Sequence, residues 1–564
     1  MILNFRFRRK NTMISKKYSS LLCCTLLFVQ IIHICHCTIV KTTNGLIEGE
    51  INYTVPEKKL YYAFRSIPYA KPPVGELRFQ APQPIDNWED VLPTKTDSPR
   101  CIQTHSKEIV GQEDCLYLNV YTPQISNDTR RLLPVMVWIY GGAFIYGNSE
   151  YDDASPDYFL DQDIVFVSIN YRLGVLGFLS LNHLVAPGNY GLKDQNMGLR
   201  WVKENIKSFG GDPDQITLIG QSAGSVSVSY HLQSPLSAGL FSGAILESGT
   251  SLCLWSLSRK GPQAASGIAV GLNISVDSPQ SIINGLRSVK AEELHEIAAD
   301  IQNKELTGSN PRDGFIFAPV IEPKHEGAFF TEKSYELLRE GKFSQVPVIV
   351  GYNSLEAAFD LPDIFRLFLV KFDLNPSSLV PIDMNIKSSV IKDAVGKEIK
   401  FQYFGLLPIA LSNINVNEFM SEDQFVRPIQ QFALLLSKYT QTYFYEFHYE
   451  GPLGGVANRT LPGVAHTEEL GYLFRRNITG NEVDDLMRRR MIRLWSNFVK
   501  FRNPTPELDD LLQNVTWLPV SSNEDMHYMK IDKELIISKN PRKNVGNFWT
   551  DLYNRYGQPP YDTY

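Results

Sequence analysis

This sequence predicts an α/β fold, a large and mostly parallel sheet with helices packed on its faces, and three observations carry that prediction. Short runs of apolar, β-branched residues recur along the chain. A longer stretch with helical spacing lies between two of them, and strand, helix, strand in that order builds a parallel sheet. No internal repeat and no long Gly/Ser-rich or Pro-rich linker interrupts the pattern, so one large domain over residues 38–564 is expected.

Residues 135–140, 164–169 and 216–219 are short, nearly all apolar and closed by Gly or polar residues, the pattern of strands buried on both faces. Between the last two, residues 191–209 place Leu199, Val202 and Ile206 on one helical face. Residues 243–246, 346–350 and 443–447 are expected to be further strands. The stretch from about 280 to 440 reads as helical insertions or a subdomain.

Composition narrows the function. The 564 residues carry a formal charge of −6, 43% hydrophobic residues, 38 Gly and 33 Pro, which excludes a collagen, a low-complexity chain or a disulfide mini-protein. An acidic chain has no general attraction to phosphate backbones or anionic lipid, so no nucleic-acid partner is expected. At the N-terminus, six basic residues from Arg6 to Lys17 precede an apolar run over 21–34, with Cys35 and Cys37 at the −3 and −1 positions of a cleavage site. Residues 1–37 therefore read as a secretory signal peptide. The run falls short of the roughly 20 apolar residues needed to cross a bilayer, so no stable membrane anchor is expected. Its removal takes the charge from −6 to −12 and four of the seven cysteines, leaving Cys101, Cys115 and Cys253. Six Asn-x-Ser/Thr sequons, at Asn52, Asn127, Asn273, Asn458, Asn477 and Asn514, fit a secreted, extracellular glycoprotein.

The chemistry centres on Gly220-Gln221-Ser222-Ala223-Gly224. It follows an apolar strand and opens a helical stretch, the context of a nucleophile elbow. A serine hydroxyl needs a base, most often a histidine oriented by a carboxylate. Of ten histidines, His33 and His36 leave with the leader, and His105, His295, His325 and His527 lie in charged stretches expected to be exposed. His183 and His231 stand near helix ends, and His448 follows a strand. His466 stands out, in a loop just before a helical-looking stretch at 467–474. The acid is expected on a loop after the 346–350 strand, with Glu356 first and Asp360 second. The consecutive small residues Gly141-Gly142-Ala143 end another strand, where backbone N–H groups can approach a tetrahedral intermediate.

With these residues assembled, the chain resembles the type-B carboxylesterase and cholinesterase family of the α/β-hydrolase fold, most of all secreted insect carboxylesterases. The likeness runs through Ser66-Ile67-Pro68-Tyr69-Ala70, Glu113-Asp114-Cys115-Leu116-Tyr117-Leu118-Asn119, Asn170-Tyr171-Arg172-Leu173-Gly174, Leu192-Lys193-Asp194-Gln195, the serine pentapeptide, Glu247-Ser248-Gly249 and Gly463-Val464-Ala465-His466-Thr467-Glu468-Glu469. It implies a Ser222, Glu356, His466 triad, an oxyanion hole from the amides of Gly142, Ala143 and Ala223, and a Cys101–Cys115 disulfide, with Cys253 left as a buried thiol. It implies no metal and no organic cofactor, and a small-molecule ester as substrate.

Departures from the family pattern bear on which ester. Residues 102–114 hold no aromatic to cradle a quaternary ammonium, and Gln221 replaces an acid before the serine, so choline esters are disfavoured. The expected function is that of a secreted serine carboxylesterase. A juvenile hormone esterase is the alternative, and a catalytically silent adhesion or binding member of the fold is the reading from another class.

Overall fold

The computed structural model describes residues 37–125, 131–308, 311–358, 363–456, 459–521 and 525–564. The apolar run of the expected leader, the sequons at Asn127 and Asn458, and Asp360 lie outside the described residues. Cys37, assigned to the leader from sequence, opens the first strand and pairs with Glu50.

Along the chain the main sheet takes β1 (Cys37–Lys41), β2 (Leu46–Tyr53), β3 (Leu60–Pro68), β4 (Tyr117–Thr122), β5 (Leu133–Ile139) and β6 (Val165–Ile169). It continues with β7 (Gly211–Gln221), β8 (Gly243–Glu247), β9 (Val348–Asn353), β10 (Thr442–Phe447), β11 (His527–Ile531) and β12 (Leu535–Lys539). In space the order is β1-β2-β3-β4-β6-β5-β7-β8-β9-β10-β11-β12, with the short strand Leu92–Pro93 beside β2. From β6 to β11 every neighbouring pair is parallel. Every residue of β6, β8, β9 and β10 is buried, because a parallel sheet covered on both faces leaves no strand face for water.

The six strands expected from sequence all form. β7 runs five residues further toward its N-terminus than the apolar pattern indicates. Gly211 pairs with Leu133 across a register shift, so the polar residues between it and Ile216 sit in an irregularity that period-2 patterning does not register. The expected helix at 191–209 is Tyr190–Asn205 followed by the 3-10 turn Ile206–Phe209. The antiparallel flanks β1–β4 and β11–β12 were not anticipated.

The stretch from 280 to 440 is not a separable subdomain. Helices Pro279–Ser288, Ala291–Gly308, Asp363–Leu374, Ser389–Phe404 and Arg427–Leu436 bracket β9, which lies inside the sheet between β8 and β10. Apolar side chains from Val40 to Tyr564 pack as one cluster. Among the described residues no helix is long and apolar enough to cross a membrane.

Two sequence motifs meet in a buried ion pair that supports the centre of the sheet. Arg172 donates from Nε to Asp194 Oδ2 and from Nη2 to Asp194 Oδ1, both at 2.7 Å, with the two side chains 3% and 0% exposed. The fork geometry satisfies both carboxylate oxygens, which is what makes a buried charge tolerable.

Candidate active site

The carboxyl ends of β7, β8 and β9 are in register, with Gln221 beside Glu247 and Glu247 beside Gly351. The site is built on that edge, where open α/β sheets present their functional loops. β7 runs into Ser222, and the helix Ala223–Gln233 leaves it. Ser222 takes φ 57° and ψ −125°, a strained conformation for a residue with a side chain. The Ser222 N–H donates to the Glu247 carbonyl at 2.8 Å, which ties the turn to β8. A Cβ on Gly220 would stand 2.4 Å from the Gly224 carbonyl carbon, and one on Gly224 would stand 2.0 Å from Ile139 O. The turn therefore closes only with glycine on both sides of the serine.

His466 comes from a loop after β10 and Glu356 from the loop after β9. The imidazole Nδ1 lies 2.6 Å from Glu356 Oε2, and the His466 backbone N–H donates to the Glu356 carbonyl at 3.0 Å. A carboxylate only accepts, so this contact puts the ring hydrogen on Nδ1 and leaves the Nε2 lone pair facing the serine turn. There Nε2 lies 3.4 Å from Gln221 Nε2. Among the described residues Ser222 Oγ has no hydrogen-bond partner, an arrangement common in ligand-free hydrolases, where this contact tightens on substrate binding. Glu356 is fully buried and its other oxygen accepts the Asn353 N–H at 2.7 Å. Burial pulls the His466 pKa down, but the charge and hydrogen bond of Glu356 outweigh it and the net direction is upward.

The loop after β5 supplies the donors. Gly142 has φ 104° and its carbonyl accepts from Ile145 and Tyr146, so the chain folds back on itself; a Cβ on Gly142 would lie 2.0 Å from Tyr146 O. A Cβ on Gly141 would lie 3.0 Å from that of Ser222, which places the loop directly over the serine. Among the described residues, the amides of Gly142, Ala143 and Ala223 donate to no backbone carbonyl. Ala223 opens its helix, where the first N–H groups have no intrahelical acceptor. Three free N–H groups around one serine can hold an oxyanion.

Several residues of the site were not singled out by sequence reasoning. Asn353 donates its side-chain amide to Ala465 O at 2.8 Å and to Glu469 Oε2, so one residue links both acid-bearing loops. Glu469 and Glu247 are fully buried carboxyls, and Trp495 Nε1 donates to Glu247 Oε1 at 2.7 Å. An acid at the end of an all-apolar strand, as in Gly243–Glu247, was the available signal. Ala357 N–H donates to Ser421 Oγ at 2.9 Å, bracing the acid loop. An aromatic wall runs from His466 through Phe425 and Trp255 to Phe315, with ring centroids 5.0, 5.7 and 5.9 Å apart.

The Cys101–Cys115 disulfide forms, and Cys253 is a buried thiol that burial pushes up to about 12. His295, expected to be exposed, is instead buried and pairs with Thr104 Oγ1 at 2.9 Å, because its helix packs that face inward among charged neighbours that point out. His231 is buried between Ser237 and Gln195, and burial lowers its pKa to about 3. The stretch at 467–474 forms only the 3-10 turn Glu468–Tyr472. Of the described sequons, Asn273, Asn477 and Asn514 are exposed and Asn52 is half-buried on β2.

Residues 36–549 match the family described as "Carboxylesterase family". Venom carboxylesterase-6 of Apis mellifera is 32% identical over 538 residues, 91% of this chain and 94% of that one. Juvenile hormone esterase of Tribolium castaneum is 33% identical over 525 residues, 85% of each chain. In three dimensions, juvenile hormone esterase from Manduca sexta with OTFP covalently attached superposes with a TM-score of 0.81 at 29% identity, covering 92% of this chain and all of that one. With an α/β-hydrolase sheet, a serine elbow on its edge and likeness along nearly its whole length, the chain belongs to the carboxylesterase family and is a carboxylic ester hydrolase.

Proposed function

We propose that this esterase works through an acyl-enzyme on Ser222, with His466 as base, Glu356 as triad acid and the Gly142, Ala143 and Ala223 amides as oxyanion hole. The observation that carries the reading is the Glu356–His466 contact at 2.6 Å, set over a serine turn ringed by free amides. Ser222 Oγ attacks the ester carbonyl as its proton passes to His466 Nε2, and the carbonyl oxygen, now negative, accepts from the three amides. His466 then gives the proton to the departing alkoxide, which leaves as the alcohol. Water repeats the sequence on the acyl-enzyme, releasing the acid and restoring Ser222. Ser222→Ala is expected to lose on the order of 10⁶-fold in kcat on a nitrophenyl ester, and only the unsubstituted enzyme should be labelled by an organophosphate. Retained turnover in that variant would sink the reading.

A second reading, hydrolysis of juvenile hormone, is favoured by the relatives from Tribolium castaneum and Manduca sexta that carry that name. Comparing kcat/KM for the hormone with that for a naphthyl ester decides it. A silent binding role is disfavoured, since all three triad positions are filled and His466 Nδ1 meets Glu356 Oε2 at 2.6 Å. We further propose that the protein is secreted after cleavage of residues 1–37 and glycosylated at exposed sequons such as Asn273, Asn477 and Asn514. N-terminal sequencing of the secreted protein and a mass shift on deglycosylation test this.

A further inference from the structure

Beneath the triad, three buried acceptor oxygens lack a donor among the described residues: Asn353 Oδ1, Glu469 Oε1 and Glu247 Oε2. They come from the end of β9, the turn after His466 and the end of β8. Around them the polar contacts are otherwise directed. Asn353 N–H donates to Glu356, its side-chain amide to Glu469 and Ala465 O, and Trp495 to the second Glu247 oxygen. Two buried hydroxyls at the same strand ends, Ser248 Oγ after β8 and Tyr445 Oη on β10, also lack a partner among the described residues.

Charge sharpens the problem. Glu247, Glu356 and Glu469 are all fully buried, and three carboxylates there would place three negative charges in one dry region. The groups facing Glu469 are Glu356 on the loop after β9, Glu247 on β8, Tyr445 on β10, His466 on its own loop and Arg476 beyond the 3-10 turn. Arg476 spends its hydrogen bonds elsewhere, on Gly454 O at 3.2 Å and Thr467 O at 3.3 Å. A proton on a carboxyl removes a charge and turns an orphan acceptor into a donor at once.

We propose that Glu247 and Glu469 form a proton-retaining carboxyl pair beneath the triad, in which Glu469 is a positioning residue that holds Asn353 against the His466 loop without adding a second anion. The inference rests on the reading of Ser222, His466 and Glu356 as the working triad. In support, burial pushes the Glu247 carboxyl well above the usual carboxylate range, and burial with the nearby Glu356 charge pushes Glu469 up to about 7. At a pH where Glu469 loses its proton, its charge favours the imidazolium form of His466.

Glu469→Gln keeps an oxygen for Asn353 and cannot ionise. It should keep kcat within about threefold and leave the acid limb of kcat/KM in place, because a protonated Glu469 and a glutamine carry the same charge. Glu469→Ala removes the acceptor and should lower kcat about tenfold with little change in KM. An acid limb that moves by about a unit or more in Glu469→Gln overturns the proposal, since Glu469 would then be ionised beside His466, and so does a Gln variant as impaired as the Ala variant, since the charge itself would then be required. Infrared difference spectra of the resting enzyme between about pH 5 and 9 give a readout independent of turnover. They should contain a protonated carboxyl band that weakens in Glu469→Gln and in Glu247→Gln; its absence from the unsubstituted protein overturns the proposal. The band should persist in Ser222→Ala, so failure of the serine mechanism and failure of the carboxyl pair give different results.

Discussion

Glu356 Oε2 lies 2.6 Å from His466 Nδ1, although the two residues stand 110 positions apart in the chain. The acid has no exposed surface and its second oxygen is held by the Asn353 N–H, so it has one direction in which to accept the imidazole. Glu356→Gln keeps the shape but removes the charge that sets the ring tautomer. A loss of about 10⁴-fold in kcat on a short-chain ester is expected, with an unchanged circular dichroism spectrum.

In the proposed mechanism the same pair sets the pH dependence, because only neutral His466 could take the Ser222 proton, and Glu356 raises the imidazole pKa above its ordinary 6.5. Activity should therefore be full above that raised value and fall as pH drops through it, so the acid limb of kcat/KM should have its midpoint above 6.5. A pH series on a non-ionising ester checks this. A midpoint below 6.5 would contradict the charge pairing.

The serine turn should tolerate no methyl group at Gly224. An alanine Cβ there would meet Ile139 O at 2.0 Å, and either β5 or the helix after Ser222 must shift. Overpacking of this kind costs about 1–3 kcal/mol, and a shift of the turn displaces the nucleophile as well. Gly224→Ala should both lower the urea midpoint and abolish turnover.

Asp194→Asn separates stability from chemistry. It leaves Arg172 buried with an uncompensated charge, and breaking such a pair costs about 3–5 kcal/mol. Denaturant unfolding should show that loss, while the folded fraction keeps its kcat.

The cysteines make opposite predictions. The Cys101–Cys115 disulfide closes a short loop, and its removal by paired alanine substitution should cost about 3 kcal/mol in oxidised protein. Cys253 is buried and its thiol is pushed up to about 12, so it should not react with a thiol reagent until the protein unfolds. Rapid labelling of the native enzyme would contradict its burial.

Local pattern carried much of the architecture. Strands such as Val165–Ile169 and Gly243–Glu247 were legible because a strand buried on both faces must be apolar throughout, and Ser222 because its elbow requires glycine at two fixed offsets. The antiparallel flanks were not legible. Half-exposed strands such as Leu46–Tyr53 mix apolar and polar residues without clear alternation, although they pair with their neighbours in sequence. The polar extension of Gly211–Gln221 was missed for the same reason, since its backbone pairing with Leu133 leaves no trace in its side chains.

From its sequence alone the protein is an α/β esterase with a serine elbow, a small-residue loop and candidate partners in Glu356 and His466. Those features are short-range, each set by the sterics or burial of a few consecutive residues. Tertiary structure decided which acid meets which histidine, that Gln221 lies beside the imidazole, and that Asn353 joins Glu469 to the His466 loop. It also decided that Glu247 and Glu469 are buried with unmet oxygens. Hydrogen bonds across more than a hundred residues depend on where the sheet places its strand ends, and no local spacing of side chains encodes that.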